Sequence, residues 1–140
     1  MTAPASSSVL HVAVLSGSHT LGLKAEKASD LIRAVRRGFA FRAFEDLAAS
    51  TGLSAGELAA LLVIPSRTLA RRKVARRLSV EESERMLRLA AIFEQALDLF
   101  EGNAKEALQW LRSPKKALDD ETPLHYAIAE VGAREVERFI

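Results

Sequence analysis

Cysteine is absent from the 140 residues, which excludes a disulfide framework and every thiolate metal site. Aromatic residues make up only 6%, with one Trp and one Tyr, so the core must rest on aliphatic side chains and a few Phe. No apolar run approaches the roughly 18 residues of a membrane span. Residues 1–8 carry no Lys or Arg, as the start of a secretory signal would. His11, His19 and His125 have no ligand-like spacing. Ser16-Gly17-Ser18-His19 lacks the Gly-Lys-Ser/Thr of a phosphate loop, and no nucleophile has a base beside it. The expectation is a cytoplasmic protein that is no enzyme, needs no cofactor or metal and meets no membrane.

What is present suits a globular chain. It is 49% hydrophobic and 27% charged, enough to bury a core for one domain or one with a small appendage. The net charge of +2 conceals an asymmetry. Residues 1–78 hold 12 Lys/Arg against 5 Asp/Glu, and residues 79–140 hold 8 against 13. A basic half joined to an acidic half points to one surface for a polyanion and another for something else, although small proteins also acquire such splits by chance.

The one β-like run is VLHVAVL at residues 9–15, and a lone strand must pair or pack elsewhere to satisfy its backbone. From Lys24 onward the apolar spacing is helical, so the fold class is all-α. Gly38 divides two segments, and Gly52 stands at a C-cap position. Ser54 with Glu57, and Ser79 with Glu82, read as capping boxes. The second opens a run to about Glu101 that is apolar on several faces, as a helix inside a fold would be. Asn103 with Glu106, and Thr122 before Pro123, start further short helices. The expected division is residues 1–22 as a mobile or accessory segment, 23–78 as a helix-turn-helix domain and 79–140 as a C-terminal helical domain.

Residues 54–77, SAGELAALLVIPSRTLARRKVARR, follow the helix-turn-helix plan of capped helix, short break and second helix. Ala59 is small where the two helices must approach closely. The second helix offers Ser66, Arg67 and Thr68 at its N-terminus, the end that reaches base edges. Arg71, Arg72, Lys73, Arg76 and Arg77 follow as candidates for phosphate contact. The alternative is a solvated basic helix packed through Leu69 and Val74. Val63 stands at the turn position where Gly is common because that turn calls for positive φ.

The pieces Arg67-Thr68-Leu69-Ala70-Arg71-Arg72, then LSVEESER at 78–85, WLRSP at 110–114, ALDDETPL at 117–124 and Gly132-Ala133 before Val136 occur in an order that resembles the Xre/MbcA/ParS antitoxin family. The resemblance covers about residues 40–140. It implies an Xre-like helix-turn-helix, a C-terminal domain that binds and occludes a cognate RES-domain toxin that consumes NAD⁺, and repression of the chain's own operon through operator DNA. Two departures are visible: Asp119-Asp120-Glu121 replaces a turn often rich in Gly, and members usually continue past the position of Ile140.

Within the acidic half, Trp110 reads first as a plug between short helices and second as a toxin contact. The last residues combine Arg134, Glu135 and Arg138 with Phe139 and Ile140, a mixture suited to the centre of an interface and so a candidate toxin-binding surface. An ordinary capping helix is the other reading. Helix-turn-helix readers usually pair across two half-sites, so a homodimer is expected. The competing function is a stand-alone repressor without a toxin, and a third is a helical interaction module that has lost DNA binding.

Overall fold

Gly38 fixes the first corner of the structure, a computed structural model that describes residues 18–126. The helix before it, α1 (Ala28–Arg37), starts where the Asp30 carboxylate reaches back to accept the N–H groups of Glu26 and of the N-cap Lys27 at 3.1 and 3.2 Å, as the partner at the third helical position of a capping box does. It ends at Gly38 with φ of 80°. A Cβ there would sit 2.1 Å from the Leu78 carbonyl oxygen, so only glycine lets the chain close against that strand of backbone. The next residue, Phe39, is buried, and its N–H donates to Ser83 Oγ at 2.8 Å.

The remaining helices follow their caps. α2 (Phe41–Thr51) ends at the left-handed Gly52. α3 (Ala55–Leu61) and α5 (Val80–Leu99) begin with the reciprocal Ser54–Glu57 and Ser79–Glu82 boxes. Between them lies α4 (Ser66–Ala75). Asn103 caps α6 (Ala104–Leu111) by accepting the Glu106 N–H at 3.1 Å. A 3₁₀ turn (Lys116–Leu118) leads to α7 (Pro123–Tyr126), where Thr122 Oγ1 accepts the His125 N–H. Among the described residues there is no strand, and the class is all-α.

The long helix α5 is the axis of the fold. Its 20 residues span about 30 Å at 1.5 Å each, and it packs against α1, α2 and α6. Met86, Leu89, Ala90, Ile92, Phe93 and Ala96 are buried along it. They join one continuous core that runs from Leu21 to Leu124 and includes Phe44, Leu47, Leu58 and Leu62. The helix stops two residues before the expected Glu101, because Glu101 and Gly102 both turn left-handed and the Gly102 N–H returns to the Leu97 carbonyl at 2.7 Å. No helix among the described residues is long and apolar enough to cross a membrane.

Part of the segment expected to be mobile or accessory belongs to the fold. Leu21 is 1% exposed within the core, and the Thr20 N–H donates to Glu94 Oε2 on α5 at 2.9 Å. A single Leu between polar residues has no periodicity to announce it. The run at residues 9–15 lies outside the described residues.

Candidate functional site

The α3–α4 pair is built on close backbone approach. Ala59 is buried, and its carbonyl accepts the Ile64 N–H at 2.8 Å. The Leu58 carbonyl takes the Leu62 N–H, and the Ala60 carbonyl takes the Val63 N–H. Val63 sits at the corner with φ of 58°, its side chain mostly in solvent. A β-branched residue is strained in that region, so the turn does need the conformation that glycine adopts freely. From α5, Arg85 Nε donates to the Leu62 carbonyl at 2.7 Å, satisfying the oxygen at the start of this corner.

No residue of α4 is fully buried. Leu69 is half-buried against the core, whereas Val74 is 85% exposed. The alternative of a helix packed through both therefore loses its second contact. Polar struts hold α4 instead. Arg72 meets Glu82 of α5 in two hydrogen bonds, Nε to Oε1 at 2.9 Å and Nη2 to Oε2 at 3.3 Å. Arg77 Nη1 donates to the Gly38 carbonyl at 2.8 Å, and the Phe41 N–H reaches the Arg76 carbonyl at 3.1 Å.

Glu82 carries two duties. It is the cap partner of Ser79, accepting that N–H at 2.8 Å, and it is the anion opposite Arg72. Burial by itself would push its carboxyl up. The hydrogen bond from the Ser79 backbone and the Arg72 guanidinium outweigh burial and hold it below the usual carboxylate range.

Of the eight residues singled out from sequence, six lie on α4 and separate by helical face, while Arg76 is its left-handed C-cap and Arg77 follows it. Arg67 and Arg71, four apart, share the outward side, and Arg71 Nη2 lies 3.4 Å from Thr68 Oγ1. Arg72 falls toward Leu69 on the inward side and is committed to Glu82, and Thr68, half-buried, lies between Arg71 and Arg72. Arg77 is committed to backbone carbonyls. Ser66, Arg67, Lys73 and Arg76 are exposed. Pro65, the N-cap, provides no side-chain acceptor for the first N–H groups of α4. Sequence reasoning missed Glu82 and Arg85 as the residues that orient this helix. The Ser79–Glu82 box marked a helix start, but nothing in it signals a partner ten residues upstream.

In the C-terminal half, Trp110 is half-buried against the core, and Lys115 Nζ lies 5.0 Å from its ring centre, a cation–π contact. Asp119 and Asp120 take φ of 56° and 64°, a conformation Asp tolerates better than most residues. The Asp120 N–H then closes the turn on the Lys115 carbonyl at 2.9 Å. Arg134, Glu135, Arg138, Phe139 and Ile140 lie outside the described residues. Among the described residues no His, Asp or Glu cluster is fit to hold a metal ion, and His19 and His125 are exposed.

Comparison with known proteins matches two consecutive regions. Residues 30–91 match the antitoxin Xre-like helix-turn-helix domain, and residues 95–140 match the antitoxin Xre/MbcA/ParS C-terminal toxin-binding domain. The two matches meet within α5 rather than ahead of it. An antitoxin Xre of Yersinia enterocolitica is 32% identical over 117 residues, 83% of this chain and 79% of that protein. An antitoxin Xre of Photorhabdus laumondii is 34% identical over 62 residues, 44% of this chain and 42% of that protein.

Proposed function

The chain belongs to the Xre antitoxin family, and from that premise we propose that it neutralises a cognate RES-domain toxin, one that consumes NAD⁺, by covering the toxin's active site. On the same reading it acts in the cytoplasm as a homodimer and represses its own operon by holding operator DNA. The observation that carries the DNA half is the stance of α4. It touches the core through Leu69 and turns Arg67 and Arg71 outward, while Arg72 and Arg77 are spent on fixing its angle. Phosphate contact then falls to Arg71, Lys73 and Arg76, and base contact to Ser66, Arg67 and Thr68 at the uncapped N-terminus.

The toxin half rests on the match over residues 95–140, which contains Arg134, Glu135, Arg138, Phe139 and Ile140. These five remain the proposed toxin contacts. Co-expression with the product of the neighbouring reading frame tests the reading. The expected result is co-purification, restored growth and restored cellular NAD⁺, with all three lost when residues 133–140 are deleted. A chain that retrieves no toxin yet retards upstream DNA is a repressor alone, and that result overturns the toxin half.

A further inference from the structure

Helices α1 and α5 lie side by side and leave an open groove of about 350 Å³ between them. Its apolar walls include Ile32 and Val35 from α1 and Val80 and Leu87 from α5. Ile32 is 49% exposed and Val80 36%, so two large apolar side chains left in water meet at one place, which marks an interaction surface more than single exposed residues do. One cation and one anion share the groove, Arg36 on α1 and Glu84 on α5. Both are exposed, and neither joins an ion pair among the described residues.

An apolar strip carrying one charge of each sign is self-complementary under a twofold axis. Arg36 of each copy can meet Glu84 of the other while the aliphatic walls cover one another. We infer that the α1–α5 groove is the twofold contact between two copies of this chain. The inference rests on the homodimer reading proposed above and supplies its surface.

The position on α5 fits this role. Residues two apart on a helix face away from each other. Glu82 and Arg85, which hold the α3–α4 pair, are therefore on the opposite side of α5 from Val80, Glu84 and Leu87. A second copy seated in the groove leaves Arg67 and Arg71 uncovered.

Sedimentation of the full chain, with co-purification of the toxin in parallel, tests the surface. The wild type is expected to be a dimer. Arg36→Glu or Glu84→Arg alone sets like charges opposite one another and should raise the dimer Kd at least about tenfold. The double variant Arg36→Glu/Glu84→Arg should restore it, because both cross-axis pairs are re-formed. Single swaps that leave the dimer intact overturn the groove while the homodimer stands. A monomeric wild type overturns both. An Ile32→Glu variant that stays dimeric but releases the toxin assigns the groove to the toxin and overturns the inference as well.

Discussion

Replacing Val63 by glycine should make the protein more stable. At φ of 58°, an ordinary L-residue is about 1–2 kcal/mol worse than in the right-handed region, and the second γ-methyl of Val adds to the crowding. Because the side chain is 63% exposed, its removal forfeits only a few tenths of a kcal/mol of burial. The greater freedom of glycine in the unfolded chain offsets about 0.5–1 kcal/mol. The net gain is about 0.5–1 kcal/mol, which raises Tm by about 2–4 °C in a chain of this size. Thermal and urea unfolding followed by circular dichroism measure it, with Val63→Ala as the control that keeps a Cβ in the strained conformation. Val63→Ala should stay close to the wild type. If Val63→Gly melts at or below the wild-type temperature, the strain assigned to this corner is absent.

Two further perturbations address the frame around α4. Glu82→Gln should cost about 2 kcal/mol at pH 7, since it leaves Arg72 without its anion in a mostly buried position. The folded carboxyl lies below its unfolded value, so the charged pair stabilises the fold above about pH 4.5 and that contribution is lost as pH falls through the folded pKa. The gap between wild type and Glu82→Gln in urea unfolding should accordingly narrow from pH 7 to pH 3.5, and a constant gap would contradict the assignment. Gly38→Ala and Gly52→Ala separate collision from conformation. The first adds a Cβ 2.1 Å from the Leu78 carbonyl, whereas the second meets nothing within 4 Å. Unfolding free energies should fall by about 3 kcal/mol or more for Gly38→Ala and by about 1 kcal/mol for Gly52→Ala. Equal losses would show that the Gly38 corner is not closed as described.

The helices were legible because their signals are local. Ser54–Glu57, Ser79–Glu82 and Asn103–Glu106 each place acceptor and partner three residues apart, and Gly38 and Gly52 mark breaks that periodicity alone would blur. Residues meeting across the fold gave no such sign. Arg72 and Glu82 are ten residues apart, and Thr20 and Glu94 are 74 apart. A run of basic residues therefore read as one phosphate-facing ladder, although helical geometry turns Arg72 inward and the end of α4 turns Arg77 onto the backbone. The alternative of a helix packed through both Leu69 and Val74 fails on the same geometry, since residues five apart do not share a helical face and Val74 stands in solvent. The charge asymmetry divided the chain at 78, while the core and the two family matches run through α5 without a break there.

On the function proposed above, the outward face of α4 grips DNA. The direct measurement is the salt dependence of binding to a duplex from upstream of the gene, followed by fluorescence anisotropy. Arg71→Ala is compared with wild type and with Lys105→Ala on α6. The account predicts that Arg71→Ala weakens binding and lowers the magnitude of the log K against log salt slope by about one, while Lys105→Ala matches wild type and all three chains still retain the toxin. An Arg71→Ala chain with unchanged affinity and slope would contradict it.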